Sequence, residues 1–138
     1  MKHLKTYEVS FSYEPDYHEL YIDREIEKLN HFTGLMDAAF EGKLKKFKYY
    51  LNNYIDRLNN KDDRGFTTLM YVVVGKSRLE TKMKMIKMLI DNGADVNIKT
   101  NDQTFYDRIT SSKLKTWVDE QFPQYEFKLK TDVKNYNL

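Results

Sequence analysis

The chain has 138 residues, 41% of them hydrophobic, which is enough to build one packed domain and argues against disorder throughout. Charged residues make up 32%, but the two signs nearly cancel to a net +2, so the strongly basic face of a dedicated nucleic-acid binder is missing. There are no cysteines, which excludes disulfides and thiolate metal sites and fits a reducing, cytoplasmic setting.

In chain order, Tyr7, Val9, Phe11 and Tyr13 alternate with polar residues, the period of a half-buried strand. Glu14-Pro15-Asp16 then opens a predicted helix through Ile22, Ile26 and Leu29, whose apolar positions suit it to cover the end of a larger assembly. Residues 1–30 carry seven acids against four bases. Lys43, Lys45, Lys46 and Lys48 form a basic cluster, and Lys82, Lys84 and Lys87 another; both read as solvated helix faces, with a surface for an acidic partner as the alternative. No apolar leader and no stretch long enough to span a bilayer is seen, so a soluble chain is expected.

An internal repeat governs the middle of the chain. Thr33-Gly34-Leu35-Met36 aligns with Thr67-Thr68-Leu69-Met70 at an offset of 34 residues, and Ala38-Ala39 aligns with Val72-Val73 at the same offset. A weaker third copy begins at Thr104-Phe105-Tyr106-Asp107. Each threonine sits where a hydroxyl can cap a helix. Leu35 and Leu69 are expected in the core, and the small Ala38 and Ala39 let helices approach closely. Met85, Ile86, Met88, Leu89 and Ile90 supply an apolar helix face. Gly65 suits a hairpin tip and Gly93 a left-handed helix end.

These residues, together with Asp91-Asn92-Gly93-Ala94-Asp95-Val96-Asn97, resemble the ankyrin repeat. The resemblance covers roughly residues 31–122. It implies an all-α solenoid of helix pairs joined by short hairpin turns over the repeats (31–122). The flanks do not match the pattern: residues 1–30, the strand-like segment plus helix, are expected to form an N-terminal cap, and residues 123–138 a C-terminal tail. The sequence departs from the pattern at the helix starts, where Gly34, Thr68 and Phe105 replace proline, and Met36 and Met70 replace histidine. The stretch from Thr67 to Gly93 is about five residues longer than the resemblance implies, and the extra residues are expected to lengthen the link at Gly75–Thr81. Beyond Pro123, Tyr125, Phe127 and Leu129 alternate with charged residues; this second strand-like segment, like the first, is expected to fold back on its own cap or fray, the sharper alternative being that one of them adds to a partner's sheet edge or pairs between two copies of the chain.

No catalytic constellation is found. His3, His18 and His31 have no metal spacing and read as surface or cap residues, and no phosphate-cradling loop is present. Asp62-Asp63, beside Gly65, reads as a turn rather than a catalytic dyad. No enzyme activity, cofactor or metal is therefore expected. What the resemblance implies is a protein partner bound by hairpin tips and the exposed side of each first helix. Those positions are Phe32, Phe40 and Glu41 in the first copy, Asp63, Arg64, Phe66, Gly75 and Arg78 in the second, and Asn101, Asp102 and Gln103 in the third. Phe66, flanked by Arg64, has the composition of a hot spot. A general interaction module and a dedicated inhibitor, such as a toxin-immunity protein, both fit. A lesser reading places RNA or DNA on the Lys43–Tyr50 helix.

Overall fold

The computed structural model describes residues 16–127. Among these, six helices run in the order α1 (Tyr17–Asn30), α2 (Gly34–Glu41), α3 (Leu44–Asn53), α4 (Thr68–Val74), α5 (Leu79–Asp91) and α6 (Ser112–Gln121). Single turns of 3-10 helix lie at Ile55–Arg57, Tyr106–Arg108 and Pro123–Tyr125. No strand occurs among the described residues, and none of their helices is long and apolar enough to cross a membrane.

The two threonines at the repeat offset adopt the same structure. Thr33 and Thr67 are both extended, and each hydroxyl accepts the N–H three residues on, from Met36 and Met70. Satisfying one of the free donors of the first turn is why these residues start helices. Met36 closes the same turn from its other side, because its sulfur accepts the N–H of Thr33 at 3.4 Å. In the third copy Thr104 exchanges hydrogen bonds with Asp107, and the first helix shrinks to the 3-10 turn.

The helices pack as stacked pairs. α2 packs on α3 and α4, α4 on α5, and α5 on α3 and α6. Leu35, Met36, Ala38, Ala39 and Val72 are completely buried, as are Met85 and Ile86. The methionine-bearing helix thus spends its sulfur side chains on the core. Contacts between copies recur at the repeat period. Asn59 donates to the carbonyl of Gly93 (3.3 Å) and accepts from the N–H of Asp95 (2.7 Å). The N–H of Asp63 donates to the carbonyl of Asn30, the N–H of Lys76 to that of Phe40, and the hydroxyl of Thr100 to that of Gly65. Partners lying one repeat apart in sequence, over and over, are the signature of a solenoid.

Three expectations are corrected. The extra residues of the second copy do not all enter the helix link. The link is Gly75–Arg78, against Gly42–Lys43 in the first copy, and α5 has 13 residues where α3 has 10, so much of the excess extends the helix. A helix absorbs added residues with their backbone groups paired, which a longer loop does not.

The cap helix is also turned. Asp16 caps it as expected, but Ile22 and Leu29 are 41% and 80% exposed, and the buried residue of α1 is Asp23. The cause is Lys46, a member of the basic cluster that lies inside instead of in solvent. Its ammonium sits 2.8 Å from Asp37 and 3.1 Å from both Asp23 and Glu19. Tyr50 donates to Asp23 as well, at 2.6 Å. A buried charge must be matched, and α1 rotates to supply the carboxylates. Gly34 makes this possible, because a Cβ there would stand 2.4 Å from the Tyr50 ring. Glycine at the helix start in place of proline is therefore what admits Tyr50.

At the other end Tyr125 lies in the 3-10 turn that starts at Pro123, and Glu126 is left-handed (φ 52°). The reversal drives Phe127 inward, stacked on Tyr106 at 4.8 Å, so residues 125–127 do fold back on the third copy, but as a plug and not as a strand. Residues 7–13 and Leu129, the remainder of the strand-like segments and of the pairing between copies built on them, lie outside the described residues.

Candidate functional site

The second hairpin is built around one carboxylate. Asp62 is 8% exposed, and its Oδ1 accepts the N–H groups of Arg64 (3.0 Å) and Phe66 (2.9 Å). Its own N–H donates to the carbonyl of Phe66, and its carbonyl accepts from Gly65, which takes the left-handed φ of 82° that the turn requires. Oδ2 accepts the hydroxyl of Tyr71, on α4, and Arg64 donates to that same hydroxyl at 3.0 Å. Burial, followed by the bond to Asp62, raises the Tyr71 pKa above the ordinary tyrosine value, so the phenol remains a donor.

Around Tyr71 the fold gathers three aromatic residues named from the sequence. Phe32 and Phe66 lie 5.3 Å from its ring and Phe40 lies 6.2 Å away. The Phe32 and Phe40 contacts are edge-to-face, the arrangement the ring quadrupoles favour. Cations cover the outer rings. The guanidinium of Arg108 stands 4.6 Å from the Phe66 centroid and that of Arg64 stands 5.5 Å away, while the Lys76 ammonium is 5.5 Å from Phe40. Arg108 is held by donating to the carbonyl of Thr100 at 2.6 Å. Tyr71 is buried beneath this layer, whereas Phe32, Phe40 and Phe66 remain partly exposed.

The other expected residues have distinct places. Glu41 pairs with Lys76 at 3.0 Å. Asp63 is exposed, 3.8 Å from the ring nitrogen of His31, which closes α1 in the left-handed conformation. Asn101 and Asp102 both have positive φ and make a two-residue hairpin tip, closed by an antiparallel bridge between Thr100 and Gln103. Gly75 serves close approach, since a Cβ there would meet the carbonyl oxygens of Phe40 and Tyr71 at 2.7 Å. Arg78 is exposed at the start of α5 and lies apart from the aromatic cluster. The Lys43–Tyr50 helix loses both Lys46 and Tyr50 to the interior, which breaks the basic and aromatic stripe that suggested nucleic acid.

Tyr71 and Arg108 were missed by sequence reasoning, and Lys76 was not singled out within the Gly75–Thr81 insertion. A signal existed for two of them: Tyr71 and Arg108 occupy the fourth position after the capping threonine of their copies, as Asp37 does in the first. That position faces the same side as Phe32 and Phe66, the residues just before Thr33 and Thr67.

The fold is that of a helix-pair repeat stack. Residues 64–101 match the family model of the ankyrin repeat, so the chain carries an ankyrin repeat there, comprising one side of the second hairpin, α4, α5 and the exit to the third hairpin. An ankyrin repeat is characteristically a non-catalytic, protein-binding module. No curated protein and no solved structure matches the chain significantly.

Proposed function

We propose that the chain binds a partner protein through the face formed by Phe32, Phe40 and Phe66 around Tyr71, with Arg64, Lys76 and Arg108 at its edge and the tip Asn101–Gln103 beside it. One observation carries the reading. Partly exposed aromatic rings are fixed over a buried tyrosine and topped by arginines, and preorganised aromatic and arginine side chains are what binding hot spots are made of. Of the remaining positions, Glu41 and Asp63 form the rim, and Arg78 lies apart from it. Residues 31–122 act as the binding unit, and α1 and residues 123–127 cover its ends.

Substituting Phe66 and Arg64 together by alanine, in a chain shown to be folded, tests the assignment. Partner affinity is expected to fall by more than about 2 kcal/mol, roughly thirty-fold. Undiminished affinity would move the interface elsewhere. If the partner is an enzyme, the same variant shows whether binding also inhibits it.

A further inference from the structure

A second site lies at the helix ends remote from the hairpin tips. The Gly75–Arg78 link, between α4 and α5, and residues 109–111, ahead of α6, border a cleft of about 250 Å³. That is about eight times the share of a water molecule in the liquid. Val73, Leu79, Ile109 and Leu114 give it apolar walls.

Its polar side chains are Lys82, Ser77, Thr110 and Ser111, none of them acidic. Lys82 reaches into it and donates to the carbonyl of Val73 at 2.7 Å. Among the described residues Lys82 has no ion pair, and burial alone holds its pKa below the ordinary lysine value. The hydroxyl of Ser77, a residue that lines the cleft, is itself closed off from solvent and has no hydrogen-bond partner among the described residues. Two helices also begin there. Leu79 opens α5, whose N-cap residue Arg78 makes no side-chain capping bond, and Ser111 caps α6, whose first turn carries no acid. The first turn of α5 holds Glu80, which is exposed. A lysine lacking a counter-charge, an idle hydroxyl and two positive helix ends meet on apolar walls.

We propose that this cleft binds a carboxylate with a short aliphatic body. The carboxylate pairs with the Lys82 ammonium and accepts from the Ser77 hydroxyl, and the aliphatic part covers Val73, Leu79, Ile109 and Leu114. Such an anion returns to Lys82 the partner that burial took away, and the apolar walls select against fully hydrated anions. The carboxylate can come from a free organic acid or from the C-terminus of a peptide ending in an aliphatic residue. The site uses none of the aromatic residues of the first face, although the two adjoin at the Gly75–Arg78 link, where Lys76 covers Phe40.

The test is an NMR titration of the whole chain, following the Lys82 side chain and the amides of Ser77 and Ser111. The probes are acetate, butyrate, hexanoate and hexanamide, with a leucine-terminated peptide as its free acid and as its amide. Saturable shifts that strengthen from acetate to hexanoate are expected, with hexanamide and the amidated peptide silent and the Lys82 pKa rising on saturation. Lys82→Met, which removes a desolvated charge, should fold and bind at least tenfold more weakly. Ser77→Ala provides a second, milder loss should the lysine variant not fold. Tighter binding of the peptide acid than of hexanoate assigns the carboxylate to a chain end, and the reverse order assigns it to a free acid. The proposal is overturned if no carboxylate saturates the site at tens of millimolar, if hexanamide binds as well as hexanoate, or if both variants bind like the parent.

Discussion

The hydroxyl of Tyr71 donates to Asp62, so the carboxylate that folds the second hairpin also anchors the ring at the centre of the aromatic face. Asp62→Ala leaves two backbone N–H groups and a phenol without their acceptor, at a cost of about 3 kcal/mol. Tyr71→Phe removes only the hydroxyl and is expected to cost about 1 kcal/mol. Urea unfolding of the two variants should show this ranking; equal losses would mean that the hairpin does not depend on the carboxylate.

Gly34→Ala should release the cap helix. The added Cβ displaces the Tyr50 ring, and with it the bond to Asp23 that holds α1 beside Lys46. Hydrogen exchange is expected to accelerate throughout α1 while α4 and α5 keep their protection. Uniform acceleration in all helices would show instead that the cap and the stack unfold as one.

Alkaline pH should weaken the same junction. Burial works to lower the Lys46 pKa, but the hydrogen bond and charge of Asp37, then those of Asp23, outweigh it and hold the value above the ordinary one. Burial and then Asp23 raise the Tyr50 pKa. Both groups hold their protons more tightly when folded, so their contribution is complete below about pH 10, the unfolded range, and fades as pH climbs toward the folded values. Stability measured from pH 8 to 11 should therefore fall at the upper end, and Tyr50→Phe should flatten the fall. A Tyr50→Phe profile as steep as the parent's would contradict the assignment.

Replacing Phe66 alone by alanine should lower stability by about 1–2 kcal/mol, because the ring is partly exposed yet packs on Tyr71 beneath Arg108. Thermal unfolding reads this directly. A loss as large as that of a fully buried phenylalanine would place the ring in the core and remove it from the binding face.

The repeat was legible because its marks are local. A threonine that caps, a glycine that turns and an alanine that admits a neighbour each act within a few residues, and Thr33, Thr67, Gly65, Gly93 and Ala38 all do so as read. The orientation of α1 was not legible. Periodicity assigns Ile22 and Leu29 to the inner side, and only the three-dimensional position of Lys46, in a run that looks solvated, reverses it. The candidate site divides along the same line. Its tip residues could be read from the repeat, but the gathering of Phe32, Phe40 and Phe66 on Tyr71 depends on how one copy is set on the next.

Photo-crosslinking in the native cell tests the central claim most directly. A benzophenone side chain is placed in turn at Phe66, at Phe40 and, on a different helix of the stack, at Lys84. The account predicts that one and the same protein is captured from positions 66 and 40 and not from 84. Capture of that protein from position 84 alone would contradict it.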